Sequence, residues 1–207
     1  MSMNKHQLLT LLRQSQSVQE LDDRKQELFA VMPSLRSMEN YDQNNHYHQY
    51  DLWTHSLYAV HYLRKDLNDD MVYLAALLHD IGKPSSCCRG KRKEDKQNHY
   101  YGHPLVSAEL CKNTVIGEME SSGICLSKEE KRRLLFYVEH HDDPIADKPS
   151  KIKKWIESEG KDTVRNWMEL EVADAKAHVI YPKVLKRIAV CQSLAEQLRE
   201  EEIRCME

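Results

Sequence analysis

Residues 71–79, MVYLAALLH, are apolar on every side of a helical wheel, and Asp80 follows at once. A helix with no wetted face has to lie inside the molecule, so other elements must wrap it. It must also carry His79 and Asp80 into the interior, where two strong polar groups are costly unless they find partners. The wrapping elements read as helices too. The chain has only six glycines and six prolines in 207 residues, and apolar residues recur at helical spacing with almost no strand-like alternation. The expected fold is therefore all-α: one compact helical bundle over residues 1–207, with its core at about 33–178 and flanking helices at both ends.

Local signals divide the chain. Leu8, Leu9, Leu11 and Leu12 open a first amphipathic stretch; Leu21, Leu28, Phe29, Val31 and Met32 mark a second, which Pro33 ends. Glu39 to Gln49 reads as loop and Thr54 to Leu67 as a helix. Asp69 and Asp70 cap the buried helix, and Gly82 and Pro84 terminate it. Residues 84–101 read as a long polar loop. Pro104 opens a helix toward Val115, Ser127 caps one over 128–141, and further helices are expected near 148–157, 161–178 and 182–204.

Composition excludes several classes. Thirty Lys+Arg against 33 Asp+Glu give a net charge of -3, which argues against a general nucleic-acid binder that lives by neutralising phosphates. The longest apolar run, Val72 to Leu78, is far short of the roughly 20 residues a membrane span needs. The start, MSMNKHQ, lacks a signal peptide's layout. Six cysteines without CxxC spacing, two of them adjacent at 87 and 88, suit a reducing compartment. A soluble, cytoplasmic protein is expected.

Eleven histidines are the unusual feature of the composition. His55, the pair His79-Asp80, His103, the pair His140-His141, and Asp174 each fall on or at the end of a different expected helix. Inward faces of several helices can converge on one point, and imidazole plus carboxylate is the donor set that borderline divalent metals favour. A single histidine is more often a core or surface residue than a ligand. The joint occurrence, with HDIGKP at the end of a buried helix, points to a metal centre.

At these residues the chain resembles the HD-domain superfamily of metal-dependent phosphohydrolases, whose pattern is H…HD…D with extra histidine blocks in members holding two metals. The matching segments are WTH (53–55), LLHDIGKP (77–84), GHP (102–104), VEHH (138–141) and EVADAKAH (171–178), so the likeness covers about 33–178. MPSLRSMENYDQNNHYHQYDLWTHSL (32–57) is similar to the segment leading into the HD domain of bacterial CCA-adding tRNA nucleotidyltransferases. The residues before Pro33 are too few for their polymerase portion, so nucleotide addition is not implied. The resemblance implies metal ligation by His55, His79, Asp80 and Asp174, with Asp80 bridging to a second ion held by His103, His140 and His141. Asp51 resembles an acidic ligand of three-metal relatives, but capping the helix that carries His55 is the favoured role. His48 and His99 carry no more than the background expectation of being ligands, and His178, one turn after Asp174, is placed to orient it or to face water.

The implied activity is hydrolysis of a phosphomonoester or phosphodiester, in a small phosphorylated or nucleotide-like substrate, by a metal-activated hydroxide. Asp80 and Lys83 would be the direct catalytic aids, Lys83 standing where the family places a phosphate-contacting lysine. The rival reading of Lys83 is a solvated residue complementing a helix dipole. The cofactor would be two divalent transition ions, iron, manganese, cobalt, nickel or zinc, with magnesium disfavoured by so much imidazole. Arg89, Lys91, Arg92 and Lys93 would form a basic lid or a solvated loop. Lys148, Lys151, Lys153 and Lys154 around Trp155 would contact nucleotide or RNA, or would snorkel over a packed tryptophan. Tyr47, Tyr100 and Tyr101 could stack on a base or fill space. Two other readings share these residues: a di-iron oxygenase with the same ligands, and a low-turnover nucleotide- or RNA-binding module. Net acidity places the module, and RNA as a partner, last.

Overall fold

The structure is a computed structural model that describes residues 3–90, 94–145 and 152–206, with 201–206 as helical backbone. In chain order its elements are α1 (Lys5–Gln14), α2 (Val18–Asp23), α3 (Lys25–Val31), a 3₁₀ turn (Pro33–Met38), α4 (Leu52–Tyr62), α5 (Asp70–Leu78) and α6 (Lys83–Ser86). A two-stranded antiparallel ribbon follows, β1 (Cys88–Arg89) on β2 (Asn98–His99), with Cys88 opposite His99. Then come α7 (His103–Leu110), a π-helical segment (Cys111–Val115), α8 (Ile116–Ser121), α9 (Lys128–His140), α10 (Ile152–Glu159), α11 (Lys161–Ala177) and α12 (Pro182–Met206). The chain folds as an all-α bundle, and among the described residues no helix is long and apolar enough to cross a membrane.

The helix at the centre is α5. Every residue from Met71 to Leu78 is buried, and α1, α4, α9 and α11 pack around it. Its start is pinned by Asp69, whose Oδ1 accepts from Met71 N at 3.1 Å while Oδ2 accepts from Arg133 Nε at 2.8 Å and Tyr137 Oη at 2.9 Å on α9. One carboxylate thus caps α5 and sets its height against α9. The start of α9 carries a full capping box between Ser127 and Glu130.

Several expectations are corrected. The second amphipathic stretch is two helices, broken at Arg24, and Pro33 opens a 3₁₀ turn. The helix expected through Leu67 ends at Tyr62, because Leu63 turns extended; Leu63 and Leu67 still reach the core through that turn. Its carbonyls are satisfied by Arg13, which donates to Lys65 O at 3.2 Å and Leu67 O at 2.7 Å. The polar stretch 84–101 contains α6 and the ribbon, which is tied to the 39–51 loop by Asn98 N to Asn44 O at 2.9 Å and Asn45 Nδ2 to Asn98 O at 2.9 Å.

Gly82 does not end α5 through a left-handed turn, since its φ is -81°. It is needed for close approach: a Cβ there would lie 2.5 Å from Ser107 N and 2.9 Å from Val106 C of α7. Gly82 N also donates to Ser107 Oγ at 2.9 Å. We expect Gly82→Ala to push α7 outward and destabilise the fold by about 1–3 kcal/mol, as overpacking of a tight contact does. Urea denaturation checks this, and a variant as stable as wild type would contradict the contact.

Candidate metal centre

Five helices aim six side chains at a common point. His55 lies mid-way along α4, His79 caps the C-terminus of α5 with Asp80 next, His103 begins α7, His141 caps α9, and Asp174 sits on α11. His103 owes its place to Gly102, whose φ of 72° turns the chain into α7 ahead of Pro104. Three of the imidazoles are oriented alike. Nδ1 of His79 donates to Ala76 O at 2.8 Å, that of His103 to Tyr100 O at 2.8 Å, and that of His141 to Val138 O at 2.7 Å. A carbonyl can only accept, so each Nδ1 carries a proton, which leaves Nε2 as the nitrogen that can offer a lone pair to an ion.

The inward atoms form two groups that share Asp80. In the first, His55 Nε2 lies 3.3 Å from Asp80 Oδ2 and 3.1 Å from Asp174 Oδ1. His79 Nε2 lies 3.1 Å and 3.4 Å from the same two oxygens, and the two Nε2 atoms are 3.3 Å apart. In the second, His103 Nε2 is 3.1 Å and His141 Nε2 3.4 Å from Asp80 Oδ1, and 3.1 Å from each other. Nitrogen and oxygen ligands about 2.0–2.2 Å from an ion stand roughly 3.0–3.5 Å from one another, so both groups have the spacing of a coordination shell. Asp80 Oδ1 and Asp174 Oδ1 are buried and accept no hydrogen bond, and Asp80 Oδ2 has only its ion pair with Lys83. Buried acceptors without donors are rare in a folded protein, and a divalent ion is what these would accept. The donor set fits the ions the sequence implied.

Electrostatics agree. Burial pushes both carboxyls up, but His79 and Lys83 hold Asp80 well below the usual carboxylate range, and His178 and Arg187 do the same for Asp174. Burial works against a charge on His79, yet Asp80 and Asp174 outweigh it and raise this imidazole from 6.5 to about 10. In metal-free protein a proton on His79 stands in for a cation. Because this pKa is raised, its stabilising effect is complete below about pH 6.5 and is lost as pH climbs through about 10. We expect chelator-treated protein to lose stability steadily from pH 6.5 to 10 in urea titrations, while metal-loaded protein loses much less. Parallel profiles for the two forms would contradict this.

His140 is the exception among the expected ligands. Its Nδ1 pairs with Asp143 Oδ2 at 3.0 Å, and its ring packs against Phe136, Trp155 and Trp167, so the structure does not bring it together with the other six residues. Asp51 caps α4, its Oδ1 accepting from Thr54 N at 2.7 Å. His99 pairs with Asp95 at 2.7 Å, away from the centre. Lys83 is not a solvated lysine: it is 3% exposed and its Nζ lies 2.6 Å from Asp80 Oδ2, which removes the dipole reading. Arg89 donates to Lys96 O at 2.9 Å within the ribbon, and Lys91, Arg92 and Lys93 lie outside the described residues. Lys148 and Lys151 do so too, while Lys153 and Lys154 are exposed beside a packed Trp155.

Of three further neighbours, His178 is expected beside Asp174 from its spacing, while His48 and Arg187 carry little signal in the sequence. His178 Nδ1 donates to Asp174 O at 2.9 Å, and burial lowers its pKa to about 4 despite Asp174. His48 meets the His55 ring edge-on and the His178 ring at a tilt, and burial with the Lys83 charge keeps it neutral. Arg187 of α12 binds Glu171 Oε2 at 2.6 Å, Asp174 Oδ2 at 3.1 Å and His141 O at 2.7 Å. It leaves Asp174 Oδ1 to face the centre.

A cavity of about 580 Å³ opens onto the centre and is lined by Asp80, His103, His141 and Asp174, with Lys83, Lys183, Lys186 and Arg187 as its cations. Residues 47–203 match the family model described as HD domain, and the chain belongs to that family. No curated protein matches the chain. Members of the family are generally metal-dependent phosphohydrolases.

Purified protein is expected to carry close to two equivalents of transition metal. Asp80→Ala should lose both, His103→Ala and His141→Ala about one, and His140→Ala none, as read by elemental analysis. Loss of an equivalent in His140→Ala would return that residue to the ligand set.

Proposed function

We propose that this protein hydrolyses a phosphomonoester or phosphodiester of a small, nucleotide-like molecule, using two divalent transition ions. The observation that carries the reading is the two-sided Asp80, whose oxygens face separate histidine groups at the floor of a cation-lined cavity. One ion would be held by His55, His79, Asp80 and Asp174, the other by Asp80, His103 and His141. When bound, such ions supply Lewis acidity toward a phosphoryl oxygen and acidify water.

The chain's own residues provide the rest. Lys83 holds a positive charge against the cavity wall, where negative charge develops on phosphoryl oxygens during transfer. Arg187 holds Asp174 Oδ2, and His178 donates to the Asp174 backbone carbonyl, which together fix the place of Asp174. Among the described residues, no serine, threonine or cysteine lines the cavity, which supports water as the nucleophile. Tyr47 and Tyr101, 45% and 68% exposed, stand at the cavity and offer ring faces for a base.

A panel of phosphate mono- and diesters, run with each metal found in the protein, tests the proposal. We expect turnover with at least one nucleotide-like ester, and Lys83→Ala should keep its metal while kcat falls roughly 10²–10³-fold. Iron-dependent oxygen consumption with no ester cleavage would replace hydrolysis by the oxygenase reading.

A further inference from the structure

Lys83 carries three ammonium protons, and three acceptors surround its Nζ: Asp80 Oδ2 at 2.6 Å, Gln43 Oε1 at 2.9 Å and His48 Nε2 at 3.3 Å. The Tyr100 ring closes another side, its centroid 5.5 Å away. Two of the protons are hydrogen-bonded and the third faces its ion-pair partner, so a substrate oxygen gains one only if an acceptor withdraws. Asp80 cannot withdraw without opening the centre. Gln43 is 1% exposed and anchored at both ends: its Nε2 donates to Tyr50 O at 3.2 Å, which turns Oε1 toward the lysine, and its carbonyl accepts from Tyr100 Oη at 2.6 Å. Among the three, His48 makes the longest contact, is an uncharged acceptor, and lines the cavity together with Lys83. Gln43 does not line it.

We propose that Gln43 and His48 are positioning residues for Lys83, with Gln43 as the permanent holder and His48 as the contact surrendered when an anionic substrate oxygen arrives. The second half rests on the phosphohydrolase reading; the first does not. Lys83 is thus kept aimed at the cavity before substrate enters, and its third proton is released to a phosphoryl oxygen without the side chain moving off Asp80. Arrival and departure of the anion exchange one hydrogen bond for another, which leaves product free to dissociate.

The test uses zinc-loaded full-length protein, zinc being diamagnetic, with two readouts. The first is the ¹⁵N-lysine ammonium signal of Lys83 without ligand. It should be slow to exchange in wild type and in Gln43→Glu, which keeps an acceptor oxygen, and fast in Gln43→Met. A signal unchanged by Gln43→Met would overturn the holder role, whatever the protein hydrolyses. The second is the affinity for inorganic phosphate. Deleting a contact that binding must break should tighten phosphate roughly threefold to tenfold in His48→Ala, whereas Gln43→Met should weaken it by a similar factor. In a Lys83→Met background both effects should vanish, which a merely structural disturbance would not do. Weaker phosphate binding in His48→Ala, or effects that persist without Lys83, would overturn the exchange. Absence of phosphate binding by wild type would overturn the exchange and the phosphohydrolase reading together, with the ammonium signal still deciding on Gln43.

Discussion

A carboxylate with no solvent exposure, Asp80, holds this architecture to its purpose. An unpaired buried charge of this kind costs several kcal/mol, a large share of the roughly 5–15 kcal/mol by which a domain is stable. It persists because the Lys83 ammonium and a protonated His79 stand against it, and three further imidazoles within 3.4 Å complete a shell in which a cation would be shared. Each arrives from a different element, so the cost of the charge is met only when α4, α5, α6, α7 and α9 are all in place. The apolar skin of α5 and the polar cluster at its end are two parts of one constraint. Wrapping the helix on all sides is what brings the donors around its terminus.

A second layer keeps that cluster directional. Carbonyls three residues back turn Nε2 of His79, His103 and His141 inward, and Arg187 takes one oxygen of Asp174 so that the other faces the centre. The guanidinium is itself balanced by Glu171, whose own carboxyl burial pushes well above its usual range. Because α12 packs along α11, the last long helix reaches a site built mostly by earlier ones.

What could be read from the residues alone follows from how local each signal is. The buried α5 and the capping box of α9 declare themselves within a few positions, and both appear where periodicity and caps put them. The end of α4 did not, because Leu63 and Leu67 keep helical spacing whether they lie on a helix or in a turn that returns to the core. His79 and Asp80 show that neighbours at a helix end can both face one centre, so the sequence could not separate His140 from His141; the packing of His140 against Trp155 and Trp167 shows that it turns away. Arg187 sits in an ordinary amphipathic pattern and His48 in a loop. Gln43 has no chemistry of its own to announce it. Their roles are tertiary, set by partners 13 to 46 positions distant or more, such as His141 for Arg187 and Lys83 for Gln43.

The most direct test is anomalous diffraction from crystals of metal-loaded protein. The account predicts two peaks roughly 3.5–4 Å apart on either side of Asp80, as two-metal sites show, one near His55, His79 and Asp174 and the other near His103 and His141. No peak at Asp80, or ions bound elsewhere on the protein while these side chains keep the positions described, would contradict it.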